Sequence, residues 1–238
     1  ITLNANIIKS LDGGQLNGST LTLTANNDIF INADILDQSN SGFGSGLAVT
    51  LNAVNNITFS NSTIDTGGVL LTLNGTQAFI TGAVNLGGLT SQFTGNNVIL
   101  NAPLDVSGVL NIGNGFESNW NFTGSTLTVL PAGQLIIDAN GCTECSSASF
   151  ANPIINQGVF NLLSVDFVSF NNDFSNQGGT LSLDSPTFTN VEFGFSTAST
   201  MSFNGGSVTS ATGAGLSIGA SGVLDAVSPL VIPSIMTL

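Results

Sequence analysis

The segment 49–64, VTLNAVNNITFSNSTI, is echoed at 71–84 as LTLNGTQAFITGAV and more loosely at 93–106 as FTGNNVILNAPLDV. Leu23, Leu51, Leu73 and Leu100 each begin the same short phrase, about 22 to 28 residues apart, and Leu3-Asn4-Ala5 opens the chain in the same way. Self-similarity at such a period marks a repeat architecture, which limits the fold before any local reading begins. Spacing inside a repeat is tighter than spacing between repeats: Leu23 to Ile29, Leu51 to Ile57 and Leu73 to Phe79 are each six residues.

Each of these positions lies in a stretch where apolar and polar residues alternate, the period of a half-buried strand. Two or three short strands per repeat are too few to bury a core. Stacking the repeats solves this, provided equivalent strands pair in parallel so that inward Leu, Ile, Val and Phe form continuous columns. The expected fold is therefore all-β, a parallel β-helix or β-solenoid of about nine to ten coils, right-handed by the crossover rule. At roughly 4.8 Å per coil it would be a rod some 45 Å long. Helix formers are sparse, and Gly-, Ser- and Asn-rich segments at 39–46, 65–68 and 85–88 supply the corners.

Asn follows Leu at Asn4, Asn52, Asn74 and Asn101. Recurrence at one phase of the coil predicts a structural ladder, with side-chain amides bonded from rung to rung. The alternative is a polar row that touches a ligand. Thr22, Thr50 and Thr72 form a comparable row, read as ordinary outward strand positions because repeated Thr-x-Thr pairs in register are missing.

Only 6% of the residues are charged, against roughly a quarter in ordinary globular proteins. Lys9 is the one cation beside 14 Asp and Glu, giving a net charge of −13, and there is no Arg, His or Tyr. Phosphate neutralisation and attraction to anionic lipid both need basic residues, so nucleic acid and anionic membrane surfaces are excluded as partners. No apolar run reaches the length of a membrane span, and membrane insertion is not expected. Ile1 falls directly inside a strand pattern, the start expected of a mature product or, by slight preference, of a part excised from something longer.

The chain reads as a single solenoid, 1–238, in three stretches. Regular Leu/Asn coils fill 1–112, a longer coil with a Cys-bearing loop spans 113–153, and Phe-rich coils with a C-terminal cap or tail cover 154–238. In the last stretch Asn156-Gln157-Gly158 and Asn176-Gln177-Gly178 read as corners before apolar strands, and Phe160, Phe167, Phe170, Phe174, Phe188, Phe193, Phe195 and Phe203 stand where Leu stood before. Stacked phenyl rings there would fill a wider lumen.

Chemistry-bearing groups are few. Cys142-Thr143-Glu144-Cys145 lacks the further ligands of a zinc site and the helix N-terminus of a redox centre, which leaves a short disulfide between Cys142 and Cys145. Carboxylate pairs such as Asp34 with Asp37 suggest glycosidic hydrolysis, yet no Arg, His or Tyr is present to position a sugar or tune an acid. No cofactor, metal or catalytic residue is expected. Neither the nonapeptide nor the Asp-rich loop of calcium-binding repeats occurs.

Segments 21–35 (LTLTANNDIFINADI) and 49–64 resemble the repeats of filamentous-haemagglutinin-like adhesins exported by two-partner secretion. The likeness covers about residues 1–112 well and the remainder loosely. It implies a secreted or cell-surface β-helical shaft, not an enzyme, serving attachment, aggregation or biofilm. Its partners would be further copies or coils end to end and a surface glycan or protein receptor. The Asn-Pro-Asn motif of that family's secretion domain is missing, with Asn152-Pro153 the nearest match. The alternatives from other classes are a polysaccharide-degrading β-helix using paired Asp residues and a carbohydrate- or mineral-binding module.

Overall fold

The structure, a computed structural model, describes residues 1–10, 18–38, 46–67, 70–86, 94–113, 118–138, 147–163, 167–184, 192–195, 200–203, 207–210, 216–217, 223–226 and 236–237. Every regular element among them is a strand. The chain visits three sheets in rotation, as Thr2–Leu3 lies in the first, Ile7–Lys9 in the second and Ser19–Ala25 in the third before Ile29–Ile31 returns to the first. The sheets are ten, nine and ten strands deep, and neighbouring strands are parallel. This is a parallel β-solenoid, each sheet running unbroken through residues 112 and 154.

Register is fixed by what faces inward. In the third sheet Leu23, Leu51, Leu73 and Leu100 are successive Cα partners, beside a column of Leu21, Val49, Leu71, Val98, Phe122, Phe150 and Phe170. In the first sheet Ile29, Ile57, Ala78, Leu104, Leu127, Ile154 and Phe174 do the same. From Ile29 to Phe174 every member of that column is buried. Each fully buried aliphatic or phenyl side chain contributes about 1.5–3 kcal/mol relative to exposure, so the columns supply the driving force that short strands lack singly.

Phe79 corrects the expected spacing. The corner after Leu73 is one residue shorter than those after Leu23 and Leu51, so Ala78 joins Ile29 and Ile57, while Phe79 pairs with Thr58 on the outer face. With a side-chain period of two, a one-residue difference exchanges the faces. Alternation alone could not detect the shortened corner, because Phe is the more apolar of the two residues.

The corner between first and second sheets is tight and built on glycine. Gly82, Gly108, Gly133 and Gly158 stack, each carbonyl accepting from the strand above: Val109 N–H to Gly82 O at 2.9 Å, Gln134 N–H to Gly108 O at 2.8 Å and Val159 N–H to Gly133 O at 3.0 Å. A Cβ on Gly133 would fall on the Val106 carbonyl oxygen, and one on Gly158 on the Gly133 carbonyl oxygen. By contrast, the connection from second to third sheet takes up the variation in repeat length. Only three residues join Leu163 to Phe167, whereas nine join Lys9 to Ser19 and nine join Asp37 to Leu47. Residues 39–45 and 87–93, where the sequence suggests Gly-rich corners, lie outside the described residues, as does most of the tail after Ala226.

Beyond Trp120 the lumen is filled by rings. Phe122 and Phe150 stack at 5.1 Å, Phe150 and Phe170 at 5.6 Å, and Phe160 meets Phe150 edge-on at 6.0 Å. Offset and edge-to-face pairs add modestly to the area they bury. Phe150→Ala should therefore cost about 3–5 kcal/mol in chemical denaturation. Gly133→Ala should cost about 1–3 kcal/mol through forced backbone movement. Outward Thr58→Ala should change little, and equal losses at all three positions would contradict this assignment of faces.

Candidate functional site

The outer wall is knit by amides and hydroxyls. Asn74 Nδ2 donates to Asn52 Oδ1 at 2.6 Å, Asn101 Nδ2 donates to Asn74 Oδ1 at 2.6 Å, and Asn52 Nδ2 donates to Thr24 Oγ1 at 3.2 Å. Asn4 does not belong to this row. It follows a strand of the first sheet, not the third, and its Oδ1 accepts from Asn32 Nδ2 at 3.0 Å. The shared Leu-Asn wording misassigned Asn4, since the first and third sheets both use alternating strands that end in Asn.

A second row lies on the second sheet, where Asn111 Nδ2 donates to Asn85 Oδ1 at 2.8 Å. Thr22, Thr50 and Thr72 are Cα partners, and Ile99 succeeds them, so the row ends after three rungs.

Asn156 and Asn176 form an inward ladder that the sequence reading passed over. They continue the buried column of Ile31, Phe59, Ile80, Val106 and Val129, and both are wholly buried. Asn156 Nδ2 donates to Asn176 Oδ1 at 2.7 Å, and Asn176 Nδ2 donates to the Gly179 carbonyl at 2.7 Å. An amide buried at a corner is tolerated when it satisfies corner carbonyls. The repeated Asn-Gln-Gly triplet was the available signal, read as punctuation although its first residue faces the lumen.

Ionisable groups converge at one place only among the described residues. Lys9 and Asp37 are Cα partners on adjacent strands of the second sheet, with Lys9 Nζ 3.4 Å from Asp37 Oδ2. Asp37 is on the same side of its strand as the buried Ile35, and its side chain is 2% exposed. Asp65, from the next rung, is also buried and accepts the Gly67 N–H at 2.9 Å. Burial lifts the Asp65 carboxyl above its ordinary value; the Gly67 N–H opposes the rise, and the nearby Asp37 charge adds to it. Gly67, at φ +59°, closes over the pair, since a Cβ there would collide with Asp37 Oδ2.

The carboxylate that joins Asp37 is thus Asp65, one rung away, not Asp34. Asp34 sits at the preceding corner, where it accepts the Thr63 N–H at 2.7 Å and Asn6 Nδ2 at 3.4 Å. A partial signal was present: Lys9 and Asp37 are 28 apart (37 − 9) and in register, whereas the next rung is offset by 29 (65 − 36), so Asp65 pairs with Leu36 and reaches Asp37 from one residue out of line. Proximity along the chain hid it, whereas in a solenoid the relevant neighbour is one coil away.

A void of about 10 Å³ among the described residues of the lumen is lined by apolar side chains including Phe59, Leu73, Val98 and Phe122. A space of that size without polar partners is too small and too dry even for an ordered water. Among the described residues no three His, Cys, Asp or Glu side chains gather as a metal would require. Cys142 and Cys145 lie outside the described residues. No protein-family model, curated protein or solved structure matches the chain.

The raised Asp65 has a definite consequence for stability. A carboxyl whose folded value exceeds its unfolded one favours folding fully below the unfolded value, near 3.8, and loses that contribution as pH rises through the folded value. Asp65→Asn, neutral throughout, should therefore gain stability relative to the parent chain as pH is raised from below 3.8 to neutrality. Urea midpoints of the two proteins across that range measure the effect, and a parent chain that gains on the variant would contradict it.

Proposed function

We propose that the chain is a structural segment of an extracellular β-solenoid shaft, serving attachment, aggregation or biofilm, and that it has no enzymatic activity. The observation that carries this reading is the wall. Many of its outward positions are Thr and Asn, with amides bonded from rung to rung, and the one lysine of the sequence is turned onto a buried carboxylate instead of outward. A surface of this kind has few groups able to hold or move a proton at a substrate, whereas it presents a long, regular polar face.

The sequence resemblance to filamentous-haemagglutinin-like exoproteins favours the same reading, with placement at the cell surface or in the medium. Repeating amides and hydroxyls offer donors and acceptors to a surface glycan or a protein loop. Parallel strand edges at the first rung suit end-to-end continuation by further coils, whether of the same chain or another copy. The inward Asp37 and Asp65 speak against polysaccharide cleavage, because a glycosidase needs its two carboxyls in an open cleft on either side of the scissile bond.

The chain, displayed on otherwise non-adherent cells, should cause them to clump or to attach to glycan- or protein-coated wells. Incubated with a panel of polysaccharides, it should release no reducing ends. Release of reducing ends that disappears in Asp37→Asn would overturn the structural reading, as would display that changes neither clumping nor attachment.

A further inference from the structure

We propose that Lys9 and Asp37 become joined by a side-chain amide, an intramolecular cross-link that ties the first rung to the second and needs no cofactor. Four observations on the same spot carry it. The two residues are directly opposed in register on neighbouring parallel strands, which holds their side chains side by side. Nζ already stands 3.4 Å from Oδ2, one bond from the carbon it would attack. Both side chains are withdrawn from solvent, Lys9 to 15% and Asp37 to 2% exposure. A second carboxyl, Asp65, is buried on the next rung, close enough to Asp37 for their charges to interact.

An ion pair so buried is an expensive way to stabilise a corner, because desolvation of the two charges offsets their attraction. Replacing the two charges by one neutral amide removes that desolvation cost. Held in place, such a pair escapes the entropic cost that makes amide formation slow between separate molecules.

The step balances without any other reactant. The Lys9 ammonium gives one proton to a carboxylate, and the freed lone pair on Nζ forms a bond to Cγ of Asp37. The tetrahedral centre then loses one of its two oxygens, which departs as water carrying two of the three ammonium protons. Ammonium and carboxylate thus become a neutral amide plus one water. Asp65, close enough to Asp37 for their charges to interact, takes the part of the acid that passes a proton to the departing oxygen and is restored by one released in the reaction. Its carboxyl, held above the ordinary range by burial and by the Asp37 charge, suits a group that must carry a proton at this point. Gly67 shields the reacting carbon, since the space above Asp37 Oδ2 is taken by its backbone.

Intact-mass spectrometry of the purified, denatured chain tests this directly. The expected mass is one water below that of the sequence, after allowance for any Cys142–Cys145 disulfide. Digestion with a protease that cleaves away from both residues should give a branched product joining the Lys9 and Asp37 fragments. That product distinguishes the amide from dehydration elsewhere. Trypsin, whose one site in the chain is Lys9, should leave the denatured protein uncut. Asp37→Ala should restore full mass and tryptic cleavage, and Asp65→Asn should do the same while retaining the strand content seen by circular dichroism. Full mass in the parent chain with cleavage after Lys9 would overturn the proposal. A branched product that persists in Asp65→Asn would overturn the role given to Asp65.

Discussion

Parallel pairing of each strand with its counterpart one rung away is the constraint on which the whole molecule depends. It fixes which residues face the lumen, and inward columns then bury what no single repeat could bury. Every other feature follows that register. Outward amides can reach one another only because their strands are aligned, as Asn52, Asn74 and Asn101 are. Lys9 meets Asp37 for the same reason, across 28 residues of chain.

The three corners share the work unequally. Stacked glycines hold the first-to-second corner so close that a carbonyl occupies the place of a side chain. The third-to-first corner is short as well, three residues joining Ala25 to Ile29 and two joining Ala53 to Asn56. Most of the length variation is left to the second-to-third connection, which explains why spacing within a repeat changes by little while the repeats drift from about 22 to 28 residues. A solenoid tolerates insertion at one vertex as long as the other two preserve register.

Much of the fold was legible because the inward columns use one residue class at a time. Leu23, Leu51, Leu73 and Leu100 announce their column in plain sequence. Where two sheets use the same word, sequence cannot tell them apart: Asn4 carries the third sheet's signature yet belongs to the first. Phe79 shows a different limit, since one missing corner residue reverses the faces without disturbing alternation. The buried cluster escaped attention because carboxylates were paired by nearness along the chain, Asp34 with Asp37, when the coil brings Asp65 to Asp37 instead. Asn156 and Asn176 were read as turn formers, although their place in the Ile31 column turns them inward. Function was far less legible, because a wall of neutral polar groups records how the rungs are held and says little about what they touch.

Nuclear Overhauser contacts among the methyl groups of Leu23, Leu51, Leu73 and Leu100 test the stacking of rungs most directly. Neighbouring rungs lie about 4.8 Å apart and alternate rungs about 10 Å apart. Leu51 should therefore show strong contacts to both Leu23 and Leu73, Leu73 to Leu100, and Leu23 none to Leu73. Methyl groups of Leu51 that contact neither neighbour, or that contact residues of the outer face instead, would contradict the register and every conclusion drawn from it.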